Sequence, residues 1–170
     1  MRYTLAQLNA MSERAFVAAL SGIFEHSPWV AREAAAQRPY PSVDALYRAM
    51  VDVVARAGEA PQLALVHAHP ELAGKAAVRG DLTAESTHEQ SGAGLSQCTQ
   101  EEFGKLQCLN RAYREKFGFP FILAVRGYDR SEIIAKFEAR MNNRRDEELR
   151  AGLVQIYRIA RFRIDDLVAE

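Results

Sequence analysis

The sequence is poor in cysteine: Cys98 and Cys108 are its only two in 170 residues. They form no CxxC pair and no zinc-like cluster, so a disulfide framework is not expected and a reducing compartment is the simpler setting. It also lacks an excess of either charge, since 22 Lys and Arg balance 22 Asp and Glu. Nucleic-acid binders usually carry a basic surplus, and none is visible here. No apolar run approaches the roughly 18 residues that a membrane-spanning helix requires. The apolar stretch Ala15–Leu20 follows Glu13 and Arg14 and runs on toward Glu25 and His26. It therefore lacks the basic start and small-residue cleavage site of a signal peptide. The final Leu167-Val168-Ala169-Glu170 is not the Ser-Lys-Leu peroxisomal address. The cytoplasm is the expected location. With 48% hydrophobic and 26% charged residues, the composition is that of a globular chain and excludes disorder. The length suits one domain, taken as residues 1–170.

What remains reads mostly as helix. Ser12 is placed to cap a helix whose apolar face holds Phe16, Leu20 and Ile23. Ser27-Pro28 is a start signal, and Pro39-Tyr40-Pro41 a stop. Ser42 caps a further helix with Leu46, Met50, Val53 and Ala57 on one face and Gly58 at its end. Thr99 and Glu102 form a capping box. Behind it, Phe103, Leu106, Asn110, Tyr113 and Phe117 make one stripe that stops at Gly118. Helices are also expected over 131–141 and 146–168, with Asn142-Asn143 between them.

Two regions fit this scheme poorly. Residues 68–94 are rich in Gly, His, Ser and Thr, with room for a short helix near Thr83–Gln90. Residues 118–128, GFPFILAVRGY, form a short apolar run that periodicity assigns neither to a strand nor to another extended segment. The expectation is an all-α, single-domain helical bundle with a functional loop region near residues 68–94.

Three of the four histidines, His67, His69 and His88, lie in or beside that region. Imidazole titrates nearest to neutral pH and suits proton transfer. Pro70 biases His69 away from helical geometry, placing it at a helix rim. The same position also suits a hydrogen-bonded structural histidine. His67 and His69 resemble a metal pair only on a strand, where alternate residues share a face, and the preceding 61–66 reads as helix. No standard zinc spacing is present. Glu89, beside His88, is an acid that can orient a histidine or lie on a solvated helix face. Asn110 interrupts an apolar stripe, where a buried amide needs partners. Arg163 borders the apolar face of the last helix, while Arg158 and Arg161 point outward. A desolvated guanidinium needs an anion, either a protein carboxylate or a substrate carboxylate. From the residues alone three functions stay open: a small-molecule enzyme built on His69, a metal-dependent hydrolase of a small cyclic amide using His67, His69 and His88, and a non-catalytic helical interaction module.

An ordered set of short motifs then narrows the choice. His69-Pro70-Glu71-Leu72-Ala73-Gly74-Lys75 is followed by Ser86-Thr87-His88-Glu89-Gln90, Asn110-Arg111-Ala112-Tyr113, Phe117-Gly118-Phe119-Pro120-Phe121 and Arg161-Phe162-Arg163-Ile164. From about residue 5 to 168 this series resembles the OHCU decarboxylase family, which acts on 2-oxo-4-hydroxy-4-carboxy-5-ureidoimidazoline. The resemblance implies an all-helical fold, a homodimer, no cofactor and no metal, and (S)-allantoin as product. By motif it makes His69 the catalytic histidine and Glu89 its carboxylate partner. It sets Pro70, Ser86 and Gln90 along the substrate and gives ring contacts to backbone groups of Phe121 and Ile122. It makes Arg163 the anchor, with Arg161 as the rival. His67 is outside the motif.

Overall fold

Caps start most of the helices where the sequence places them. The computed structural model describes residues 2–170. A two-residue strand β1 (Tyr3–Thr4) leads into α1 (Leu5–Ala10), where Thr4 and Gln7 form a capping box. The hydroxyl of Ser12 starts α2 (Glu13–Leu20) by accepting from Ala15 N–H. Pro28 opens α3 (Pro28–Ala35), and Ser42 caps α4 (Val43–Arg56). Then follow α5 (Glu59–Ala68), α6 (Lys75–Arg79), α7 (Ala84–Gly92), a 3₁₀ turn (Leu95–Gln97) and α8 (Gln100–Phe117). The capping box of Thr99 and Glu102 starts α8, and Gly118 ends it at φ +83°. That left-handed backbone is one that glycine adopts without strain. The chain closes with α9 (Arg130–Arg140), α10 (Arg145–Leu167) and β2 (Val168–Ala169).

The fold is mostly helical, as expected, but the region 68–94 is less loop-like than its composition suggests. It holds α6 and α7. The buried residues of α7 are Ser86 and Gln90, so its inward face is polar and leaves no apolar periodicity to detect. The 118–128 run contains no strand: residues 121–125 are irregular, and all five are buried.

The chain divides into two compact units. One comprises Met1–Ala68 and Ile156–Glu170, the other His69–Gln155. In the first, α2 packs on α3, α3 on α4 and α4 on α5. Phe16, Leu20, Phe24, Val30, Leu46 and Met50 are almost fully buried there. Asn9 and Tyr40 pair through backbone and side chain at 2.8 and 2.9 Å, fixing the break after α3. The strands β1 and β2 pair in parallel, Tyr3 with Val168 and Thr4 with Ala169. In the second unit α8 packs on α9. An aromatic cluster centres on Tyr113, whose ring meets Phe117, Phe119, Phe121 and Phe137 at 4.5–6.1 Å. No helix among the described residues is long and apolar enough to cross a membrane.

Candidate active site

The second unit begins at His69, which is buried, as the chain leaves α5. Pro70 fixes its own φ and biases His69 away from helical geometry, so this junction is stiff by composition. Residues 71–74 then turn tightly. Ala73 has φ +49°, a left-handed conformation that costs an L-residue roughly 1–2 kcal/mol and persists only where its surroundings over-determine it.

The surroundings do so through side-chain amides. Gln90 on α7 accepts from Ala73 N–H at 2.9 Å and donates to the Glu71 carbonyl at 3.3 Å. Gln107 on α8 donates to the Ala73 carbonyl at 2.6 Å, and Asn110 to the Leu72 carbonyl at 2.9 Å. The Arg114 guanidinium meets the Glu71 carboxylate. Asn110 thus breaks the apolar stripe of α8 because it bonds the turn. Its Oδ1 is buried and makes no hydrogen bond among the described residues.

On α7, Thr83 caps the helix by accepting from Ser86 N–H at 3.2 Å. Ser86 and Gln90, four apart, share the buried face; Glu89 is half-buried beside them and His88 is exposed. Because Gln90 grips residues 71 and 73, this face of α7 adjoins the turn that His69 begins. Of the residues singled out in the sequence, His69, Pro70, Ser86, Glu89 and Gln90 therefore lie on two adjoining segments. The amide of Gln90 is engaged by the backbone of the turn. A cavity of about 410 Å³ is lined by Gln90 together with Ala73, Ala77, Leu82, Leu95 and Phe103 among others. His69, Ser86 and Glu89 do not line it.

Phe121 and Ile122 belong to the same unit. Phe121 stacks on Phe137 with centroids 3.8 Å apart, and the Arg140 guanidinium lies 4.5 Å over its ring. Arg140 also donates to the Ile122 carbonyl at 2.6 Å. Arg140 is in turn held by Glu148, which is fully buried and receives its Nη2 at 2.8 Å, the Asn143 amide at 2.7 Å and the Tyr113 hydroxyl. Burial, reinforced by Glu148, pushes the Tyr113 phenol far above its ordinary pKa. The irregular 121–125 backbone is thus fixed by a buried ionic network that no local sequence pattern signals.

Arg163 belongs to the first unit. It is buried, and its Nη1 donates to the carboxylate of Glu25 and to the Gly22 carbonyl, both at 2.8 Å. The protein carboxylate that a desolvated arginine needs is therefore Glu25, itself 2% exposed. Sequence reading passed over Glu25; its signal is an acid directly after the buried Ile23-Phe24. Arg161, by contrast, is partly exposed and pairs with Asp44 at 3.2 Å and Asp165 at 2.9 Å. Among the described residues, no three His, Cys, Asp or Glu side chains come together as a group able to hold a metal ion.

Comparison with known proteins gives the family and the fold. A family model described as OHCU decarboxylase matches residues 9–165. The chain is 39% identical over 161 residues to the 2-oxo-4-hydroxy-4-carboxy-5-ureidoimidazoline decarboxylase of Haloferax volcanii, covering 95% of this chain and 94% of that protein. It is 40% identical over 168 residues to the uric acid degradation bifunctional protein of Bacillus subtilis, covering 99% of this chain and 33% of that protein. The chain thus spans about a third of the length of the bifunctional relatives it matches. The crystal structure of (S)-allantoin synthase superposes with a TM-score of 0.78 at 27% identity, covering 98% of this chain and 54% of that one. The crystal structure of OHCU decarboxylase in the presence of (S)-allantoin gives 0.70 at 19% identity, over 87% of this chain and 96% of that one, a likeness of fold.

Proposed function

The chain belongs to the OHCU decarboxylase family, and on that premise we propose that it converts 2-oxo-4-hydroxy-4-carboxy-5-ureidoimidazoline to (S)-allantoin and carbon dioxide, without a cofactor. The observation that carries this reading is the pairing of two segments by Gln90: the rigid turn headed by His69 and Pro70, and the α7 face with Ser86 and Glu89.

The chemistry asks for positioning more than for a reactive group. As carbon dioxide leaves, its bonding electrons remain on the hydroxyl-bearing ring carbon, and the adjacent ring C=N accepts them. The hydroxyl proton is given up, that carbon becomes a carbonyl, the ureido-bearing carbon takes one proton on one face, and the ring nitrogen that received the electrons takes another from the medium. The protein must hold the carboxylate out of the ring plane, stabilise the charge entering the ring and control the proton. In this reading His69 takes the hydroxyl proton and Glu89 orients the imidazole. Pro70, Ser86 and Gln90 shape the wall, and backbone groups of Phe121 and Ile122 contact the ring. Arg163, aligned by Glu25, grips the substrate's polar edge. The working form is a cytoplasmic homodimer.

His69→Ala and Glu89→Gln are each expected to lower turnover by at least ~10²-fold, the range of acid–base groups. Because the substrate also decays in water, the assay follows the handedness of the allantoin formed as well as substrate loss. Racemic product appearing at the spontaneous rate with the wild-type protein would overturn the reading, as would a near-normal rate for His69→Ala.

A further inference from the structure

We propose that one face of α8, formed by Gln107, Asn110 and Arg114, is the positioning element that sets the aim of His69. The inference rests on the reading of His69 as the catalytic histidine. The three residues stand three and seven positions apart, a spacing that puts them on one side of a helix. They engage successive residues of the turn in reverse order: Gln107 the Ala73 carbonyl at 2.6 Å, Asn110 the Leu72 carbonyl at 2.9 Å, and Arg114 the Glu71 carboxylate. The turn therefore runs antiparallel to α8 and is held at every residue from 71 to 73. Gln90 grips the same turn from α7, at Glu71 and Ala73. Ala73 is thereby bonded at both its N–H and its carbonyl, which keeps its φ at +49°.

The link from the turn to His69 is short and stiff. One residue, Pro70, separates Glu71 from His69, and its ring fixes one of the few soft torsions between them. Proline also restricts the backbone of His69 itself. A rotation of the turn is therefore passed to the imidazole rather than absorbed. Misplacement of a reacting group by about 1 Å can cost ~10²-fold in rate, so a partial loosening should cost less but be measurable. None of these three α8 residues need touch substrate to have this effect.

Two variants test the idea. Gln107→Met removes one donor while keeping an unbranched side chain, and Arg114→Met removes the guanidinium, which is 60% exposed, so little folding stability is expected to rest on it. Arg114→Lys restores the charge. The readouts are kcat per folded molecule, KM, and the ring carbon–proton NMR signal of His69 in the free protein, assigned by its disappearance in His69→Ala. The expected result is a displaced His69 signal, a kcat lower by about 10-fold, KM within about threefold, and partial recovery in Arg114→Lys. An unmoved His69 signal, or wild-type kcat in both methionine variants, would overturn the inference. If Gln107→Met does not fold, Arg114→Met alone decides it. A displaced signal combined with full activity of His69→Ala would instead overturn the catalytic reading and leave the mechanical coupling standing.

Discussion

A β-carbon placed on Gly74 would lie 2.7 Å from the β-carbon of Glu71. Real β-carbons do not approach so closely, and Glu71 has little freedom to retreat because its carbonyl is held by Gln90 and its carboxylate by Arg114. Gly74 is thus required by close approach; its own φ of −77° is open to any residue. Gly74→Ala should destabilise the protein by about 1–3 kcal/mol, as overpacking does, and should shift the turn that leads from His69. A urea midpoint and the turnover number measured on the same preparation check this. An unchanged midpoint would show that the turn yields more readily than its bonds suggest.

The buried network around Glu148 predicts an asymmetry between its partners. Arg140→Met leaves that carboxylate without its cation and should cost about 3–5 kcal/mol, as broken buried pairs do. Tyr113→Phe removes one hydrogen bond and should cost about 1–3 kcal/mol. Denaturant unfolding of the two variants gives the comparison. Equal losses would mean that Arg140 contributes no more than a neutral donor does.

The two arginines of the closing helix should separate cleanly. Arg163 is buried against Glu25, whereas Arg161 lies on a surface with Asp44 and Asp165. Arg163→Lys should lower kcat/KM at least ~10-fold, because an ammonium does not replace a planar fork of donors. Arg161→Lys should stay within about threefold, as surface pairs contribute little. The reverse ranking would make Arg161 the anchor.

Two carboxylates at helix starts set part of the acid limit. The Thr99 N–H bond to Glu102, aided by Arg130, holds that acid below its ordinary pKa, and the Glu132 N–H does the same for Asp129. Groups lowered in the folded state contribute stability above their unfolded pKa and lose it as pH falls through the folded value. The melting temperature should therefore decline from about pH 4 downward. The double variant Glu102→Gln with Asp129→Asn retains both caps' hydrogen-bonding capacity. It should melt within a few degrees of wild type at pH 7 and fall less steeply in acid. Parallel acid slopes would remove these two groups from the account.

Much of the helical framework was legible because it is written locally. Ser42, the Thr99–Glu102 box and the Gly118 stop each act over three or four residues, and each stands where expected. Asn110 was legible as an anomaly, since a polar residue on an apolar stripe has to bond something. Helix α6 was not: it is five residues long, contains no buried residue and carries no apolar stripe. The backbone of 121–125 was undecidable because all five residues are buried, which erases the inside–outside alternation that would mark a strand apart from another extended segment. The partners of Arg163 and Arg140 were invisible for another reason. Glu25 lies 138 positions from Arg163, and the Ile122 carbonyl is a backbone atom with no side-chain signature. The sequence motif also names Gln90 without disclosing that its amide is engaged by the turn rather than open.

The parallel pairing of Tyr3 with Val168 sets the two ends of the described chain side by side. Because the two strands run parallel, the chain leaves β2 heading away from the start of β1, and a ring-closing linker has to double back over about a dozen residues, as crossovers between parallel strands do. Reopening that ring at the exposed Asn142, between α9 and α10, would yield a circularly permuted protein with the same covalent order inside His69–Arg140. Such a protein would keep the His69 turn, α7 and α8 as one uninterrupted stretch even though its synthesis begins just ahead of α10.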